Sequence, residues 1–146
     1  MNILRTMLWV TAVIQISIGV AASANERSRA FEDCLSSNMI ALQAASIGGD
    51  PNEAFDQAAS TLKENGTLAS ISGMAASIET ELARARSATE KQKLRLWLKW
   101  VADGIADEPI PQYQSDAKKA ARSFEACIFH VYDIDLLKMR GWQDNE

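Results

Sequence analysis

The chain has 146 residues, with 19 acidic and 15 basic side chains and a formal net charge of −4. This acidic excess argues against general binding to nucleic acid or to an anionic membrane surface. Two cysteines and a single histidine leave little material for a metal site and none for a bis-histidine haem.

The first 24 residues have the composition of a targeting segment. Arg5 supplies a positive charge, residues 7–20 form a short apolar core, and Ala22-Ser23-Ala24 fits a small-x-small cleavage site. We predict cleavage after Ala24, leaving residues 25–146 as a single periplasmic or secreted domain with no membrane contact. An uncleaved membrane anchor is the alternative.

Cys34 and Cys127 are the two cysteines of the chain. In an exported protein they predict one disulfide, and with two cysteines its pairing is fixed. The alternative is a pair of reduced thiols, either buried or holding a metal ion together with His130 and Asp133. We predict the disulfide, and neither a metal nor a cofactor.

Helical periodicity runs through residues 25–146, and no stretch alternates in period two for long. We therefore predict an all-α, single-domain helical bundle of about five helices, whose first and last helices are joined by the disulfide. The first helix is expected over residues 26–47, where Gly48-Gly49 ends it.

Asp50 and Pro51 are residue types of an N-cap and a first helical position, so a second helix is predicted over residues 51–64. Its predicted core side chains are Phe55, Ala59 and Leu62. After Asn65-Gly66 a third helix is expected over residues 67–86, with core positions Leu68, Ile71, Ala75, Ile78 and Leu82.

The remaining side chains of the third helix are small, which predicts a central helix with a close neighbour or a kink at Gly73. Ser87 can cap a fourth helix over residues 89–106, and one helix continuing through Ser87 is the alternative. The predicted core stripe of the fourth helix is Leu94, Trp97, Leu98, Val101 and Ile105.

Pro109 and Pro111 separate the fourth helix from the last one, which is predicted to extend through residues 118–139. Its inward positions are Ala117, Ala120, Phe124, Cys127, Ile128, Val131, Ile134 and Leu137.

An aromatic patch is the strongest candidate for binding a partner. Leu96 and Trp100 lie four residues apart on a face of the fourth helix outside its core stripe, and Ile110 and Tyr113 follow in the proline-containing connector. Tryptophan and tyrosine bury large areas at low entropic cost, so these four residues are predicted to contact a protein partner. Burial of Trp100 in the core is the alternative.

The sequence contains no recognisable catalytic pattern, and we predict a protein that is not an enzyme. Arg84, Arg86 and Arg95, near Glu79 and Glu81, could line the anion pocket of a small all-α secreted enzyme. Charges at these spacings are more often solvated helix faces.

Two segments carry a family resemblance: Phe31-Glu-Asp-Cys34-Leu35 and Phe124-Glu-Ala-Cys127-Ile-Phe-His-Val-Tyr132, followed by Leu136. They resemble the small exported immunity proteins that protect bacteria from type VI secretion amidase effectors. The matching positions in the last helix would be Cys127, Tyr132, Asp135 and Leu136. The resemblance implies a periplasmic inhibitor that caps a cell-wall hydrolase, as a homodimer. The middle of the chain has no counterpart in that pattern.

A periplasmic stress chaperone or a structural envelope protein is the alternative class. Small acid-stress chaperones are also helical, acidic and held by one disulfide, although their cysteines lie closer together. Such a chaperone should lose order at low pH and expose apolar surface, whereas an inhibitor should stay folded and bind one partner tightly.

Overall fold

The computed structural model describes the backbone of residues 2–107 and 114–143 and the side chains of residues 24–107 and 116–139. These residues form six α-helices and no β-strand, which confirms the all-α class. The helices are α1 (Asn2–Ile47), α2 (Pro51–Glu64), α3 (Thr67–Arg84), α4 (Ala88–Ala106), α5 (Gln114–Tyr132) and α6 (Leu136–Gln143).

Helix α1 begins earlier than predicted, because it continues through the predicted targeting segment. Among the described residues, no helix combines the length and the hydropathy that crossing a bilayer requires. Cleavage after Ala24 stays a prediction.

The turns between helices follow the residue types that were used to predict them. The Asp50 side chain accepts hydrogen bonds from the backbone N–H groups of Asn52 and Glu53, both at 3.0 Å, with Pro51 opening α2. Gly66 has φ +84°, a left-handed conformation that glycine adopts without strain. The Ser87 hydroxyl accepts from Glu90 N–H at 3.2 Å and starts α4, so a single helix through Ser87 is wrong.

The core lies around α1 and α5. Phe31 and Phe124 are fully buried, and their rings meet edge to face with centroids 6.0 Å apart. Helix α1 packs against α2, α3 and α5, while α4 packs against α5, α3 and α6. The buried core consists of Phe31, Leu35, Ile71, Ala75, Ile78, Leu94, Leu98, Ala102, Phe124, Cys127, Ile128 and Leu136.

The disulfide between Cys34 and Cys127 joins α1 to α5, with Cα atoms 5.9 Å apart, as predicted. The alternative of two reduced thiols is therefore wrong. The Asn38 side-chain amide donates to the Cys34 carbonyl oxygen at 3.0 Å and approaches Cys127 Sγ at 3.5 Å. The Asn38 amide is therefore hydrogen-bonded where it lies beside the buried disulfide.

The predicted core face of α2 is wrong, whereas that of α3 is confirmed. In α2 the buried side chains are Ala54, Ala58 and Leu62, so the core face is rotated by one residue from the prediction and Phe55 is 43% exposed. Helix α3 packs through its predicted apolar stripe against α1, α2 and α4. Gly73 is exposed, and a Cβ there would meet nothing within 4 Å, so the predicted close neighbour is not found among the described residues. The small residues off the stripe face outward: Ala69, Ser70, Ser72, Gly73, Ala76 and Ser77.

The predicted last helix is interrupted after Tyr132. Asp133 adopts φ +57°, and the Asp135 carboxylate accepts from Lys138 N–H at 2.9 Å, which caps the short helix α6. The interruption changes the helical phase, so Leu136 is buried and Leu137 is 60% exposed instead of facing inward.

Candidate functional site

Helix α4 has an inner face that fixes its orientation in the bundle. Leu94, Leu98 and Ala102 are buried, and the predicted stripe residues Trp97, Val101 and Ile105 pack against the same core. Since residues three and four apart share one face of a helix, the opposite face of α4 must point away from the bundle.

Leu96 and Trp100 lie on that outward face, 48% and 71% exposed. Burial of Trp100 in the core is therefore wrong. The other two predicted patch residues, Ile110 and Tyr113, lie outside the described residues. The candidate site is thus built from an exposed aliphatic and an exposed aromatic side chain, one helical turn apart.

The sequence reasoning missed the two charged residues that flank this pair. Residues 93, 96, 100 and 103 follow a spacing of three, four and three, so Lys93, Leu96, Trp100 and Asp103 form one line along the helix. We call this line the outward stripe. The same three- and four-residue spacing in the sequence indicates all four positions.

Each charged end of the stripe is held by a neighbour within α4. Lys93 Nζ lies 2.9 Å from Glu90 Oε1, and Lys99 Nζ lies 2.6 Å from Asp103 Oδ2. The Lys93 and Asp103 side chains remain 67% and 36% exposed, so both are still accessible from outside. Pairs of this kind contribute little to stability but orient the charges.

Gly104 lies four residues after Trp100, on the same side of α4. A Cβ at Gly104 would meet nothing within 4 Å. Packing within the described fold therefore does not require glycine there, although a glycine inside a helix costs about 1 kcal/mol relative to alanine.

A second cluster joins α1, α3 and the end of α5. Arg27 donates from Nε and Nη2 to the two carboxylate oxygens of Glu79, at 3.2 and 3.1 Å. This hydrogen bonding raises the pKa of Arg27 above its ordinary value. The two-point geometry fixes α3 against α1.

Tyr132 extends this cluster, with its ring 6.1 Å from that of Phe31. Its hydroxyl oxygen is buried and has no hydrogen bond of good geometry within the described structure. Burial first, and then the nearby Glu79 carboxylate, raises the pKa of Tyr132 above its ordinary value. The Tyr132 phenol therefore stays neutral beside the ion pair of Arg27 and Glu79. Because it does not lose its proton near neutral pH, the cluster is better suited to holding the helices together than to proton transfer.

The two carboxylates near the alternative anion pocket, Glu79 and Glu81, already form ion pairs. Glu79 is bound by Arg27, and Glu81 pairs with Arg84 at 3.1 Å on the exposed surface of α3. His130 is exposed, and among the described residues no group of three His, Cys, Asp or Glu side chains is placed to hold a metal ion.

A cleft of about 250 Å³ opens between one end of α1 and its neighbours. Met39, Leu42, Leu62 and Ile105 make its lining mostly aliphatic. Asp116 is the only ionisable residue among the described residues that line it. Ser46 and Thr67 add hydroxyl groups to the lining.

The outward stripe is thus the best-defined candidate for recognition. Comparison of the chain with models of protein families, with curated proteins and with solved structures gave no match.

Proposed function

We propose that the protein is an exported, non-enzymatic protein-binding module that inhibits a cell-wall amidase or a similar toxin. The observation that carries the proposal is Trp100, whose side chain is 71% exposed on a helix that is fixed to the core on its other side. Leu96 adjoins it, and the two side chains form an apolar centre with charged residues around it.

Exposed tryptophan is well suited to anchoring a protein partner. It offers a large apolar area with only two rotatable side-chain bonds, so little entropy is lost on binding. Its helix packs against α5, and α5 is joined covalently to α1. A rigid, pre-organised face lowers the ordering cost of binding and favours a tight complex.

The inhibitor form of the proposal rests on the resemblance of the two cysteine segments to amidase immunity proteins. The amidase or toxin would be blocked by occupation of its substrate cleft, which requires shape complementarity and no chemistry from this chain.

The test uses immobilised residues 25–146 to capture proteins from envelope extracts, followed by native mass spectrometry and a peptidoglycan turnover assay. We expect a stoichiometric partner that hydrolyses peptidoglycan and loses activity when the soluble wild-type protein is added. Trp100→Ala should abolish both effects.

Phe129→Ala is the matched control, because Phe129 is also an exposed aromatic residue, at 52%, but lies on α5. It should retain binding. Inhibition that survives Trp100→Ala, or a captured set without any hydrolase, would count against the proposal.

A periplasmic stress chaperone is the second candidate. It is favoured by large apolar side chains exposed on four different helices, namely Phe55 on α2, Leu96 and Trp100 on α4, Phe129 on α5 and Leu137 on α6. A chaperone should suppress light scattering by an unfolding client, and should do so increasingly as the pH falls. An inhibitor should leave the client's aggregation unchanged at every pH.

A further inference from the structure

We infer that a small external thiol opens the disulfide by attacking Cys34, while the Asn38 amide stabilises the thiolate that leaves at Cys127. The two sulfurs of one bond thus have different roles: Cys34 is the point of entry and Cys127 is the leaving group. This reactivity goes beyond the proposed function and does not depend on it.

The two cysteines differ in burial. Cys127 is fully buried in the core, whereas Cys34 is only partly buried. On α1 the neighbours one turn before and one turn after Cys34 are Ala30 and Ser37, which are exposed and have small side chains. Because an attacking thiol has to reach the sulfur from solvent, access favours attack on Cys34.

Asn38 directs a hydrogen-bond donor toward the disulfide. Its side-chain amide has two N–H donors. The Cys34 carbonyl oxygen accepts from Nδ2 at 3.0 Å, and the same nitrogen lies 3.5 Å from Cys127 Sγ and 3.8 Å from Cys34 Sγ. One N–H is thus occupied by the backbone, and the other is available to the sulfurs, with Cys127 Sγ the nearer of the two.

This donor matters most when charge develops on Cys127. A disulfide sulfur is a weak acceptor, whereas a thiolate is charged and accepts a stronger hydrogen bond. Water does not reach Cys127 in the folded protein, because its side chain is fully buried. The Asn38 amide is already in place before the bond breaks, so it can stabilise the departing thiolate without rearrangement.

The reaction is a thiol–disulfide exchange in two steps. First, the sulfur of the reagent thiolate bonds to Cys34 Sγ while the bond to Cys127 breaks, and the electron pair of that bond leaves on Cys127 Sγ. Second, another reagent thiolate attacks the reagent sulfur of the mixed disulfide and releases Cys34 as a thiolate. Two reagent thiols become one disulfide, and their protons end on Cys34 and Cys127.

The first experiment locates the point of entry. Folded residues 25–146 react with excess reduced glutathione, and samples are quenched with acid, because only thiolates exchange. Digestion in acid and mass spectrometry then locate the glutathione. We expect about ten times more adduct on Cys34 than on Cys127, or a larger excess.

Single-cysteine variants give an independent measure of access. Cys127→Ala retains the Cys34 thiol, and Cys34→Ala retains the Cys127 thiol. Each reacts with an aromatic disulfide reagent in buffer and in strong urea, so that access in the folded protein is compared with the reactivity of the unfolded chain. Folding should protect Cys127 at least about tenfold more than Cys34.

The second experiment tests Asn38 through the rate of reduction by glutathione. Asn38→Ala removes the donor, and Asn38→Asp keeps the shape but places a negative charge there. Each should slow the reduction of the folded protein about tenfold or more. Gln43→Ala is the matched control, because it removes another partly buried amide of α1 away from the disulfide, and its rate should be unchanged.

Every rate is measured with and without about 1 M urea, and circular dichroism establishes that each variant is folded. Direct attack on the folded protein is proportional to thiolate concentration and nearly independent of urea, whereas reduction after unfolding accelerates steeply with urea. The urea-independent rates are the ones compared.

Glutathione found equally on both cysteines, or mainly on Cys127, overturns the assignment of Cys34 as the point of entry. A wild-type rate that rises steeply with urea also overturns it, because the thiol would then reach the sulfurs only after unfolding. Asn38 variants whose urea-independent rates equal or exceed that of the wild type overturn the role of the amide. None of these results depends on whether a hydrolase partner is found.

Discussion

Breaking the bond between Cys34 and Cys127 should remove a large part of the stability of this protein. The two cysteines are 93 residues apart, and cross-linking a chain over that length removes much of the freedom of the unfolded state. The chain-entropy relation gives about 4.6 kcal/mol at 25 °C for such a loop. Domains of this size are stable by only about 5–15 kcal/mol, so the reduced protein should be marginal.

The measurement is urea unfolding followed by far-UV circular dichroism, with and without a phosphine reductant. At an m-value of about 1–2 kcal/mol per molar, the midpoint should fall by roughly 2–5 M urea on reduction. The m-value should rise, because the uncrosslinked unfolded chain exposes more surface.

The double variant Cys34→Ala/Cys127→Ala is the companion measurement. Its free energy of unfolding should fall by about as much as it does on reduction. A further loss should come from the cavity left at Cys127, which is fully buried. A loss below about 1 kcal/mol in both experiments would refute the reasoning, since it would mean that the unfolded chain is already restricted without the bond.

Three further predictions concern single residues. Trp100→Ala should lower the free energy of unfolding by less than about 0.5 kcal/mol. Leu98 is fully buried on the other face of α4, so Leu98→Ala should cost about 3 kcal/mol. Equal losses in urea unfolding would contradict the assignment of one exposed and one buried face to α4. Gly73→Ala should raise the free energy of unfolding by about 0.5–1 kcal/mol, because the new methyl group meets nothing within 4 Å; a loss in the same assay would mean that glycine is needed there. The raised pKa of Tyr132 means that the folded protein keeps a proton that the unfolded chain releases near pH 10. Stability should therefore fall as the pH rises above about 10, and alkaline melts of Tyr132→Phe should lack this fall; the same pH dependence in both proteins would contradict it.

Features encoded in local sequence were predictable. The caps at Asp50 and Ser87 follow from side chains that can accept backbone hydrogen bonds, and the structure confirms both. The disulfide followed from cysteine number together with the expected compartment, and it too is confirmed. Each of these inferences needs only the sequence of a short segment or the number of cysteines in the chain.

Features that depend on neighbouring helices were not predictable. In α2, Phe55 and the small residues Ala54 and Ala58 define competing faces, and the small residues face the core because α2 packs against both α1 and α3. The small residues on one face of α3 predicted a contact surface, but small side chains alone do not indicate whether another helix packs against them. The interruption at Asp133 separates two apolar stretches whose combined periodicity resembles one helix.

The candidate site was predicted only in part. Leu96 and Trp100 were predicted from the sequence because they lie off the core stripe of α4. Whether their face was exposed or buried against a second neighbour depended on the fold, and both side chains are exposed. Lys93 and Asp103 were overlooked because charged residues on helices are common, and only the orientation of α4 places them in line with Trp100.

The bond between α1 and α5 also determines how the chain responds to proteolysis. Residues 34 to 127 form a covalent ring, and the exposed turn at Gly48 and Gly49 belongs to that ring. A single cut in this turn opens the ring but releases no fragment, so α1 remains tethered to the helix that supports α4. The cleaved molecule would keep its mass on a non-reducing gel, apart from one added water, and separate into two pieces only after reduction. Loss of a segment from this part of the chain therefore requires two cuts, or one cut and a reductant.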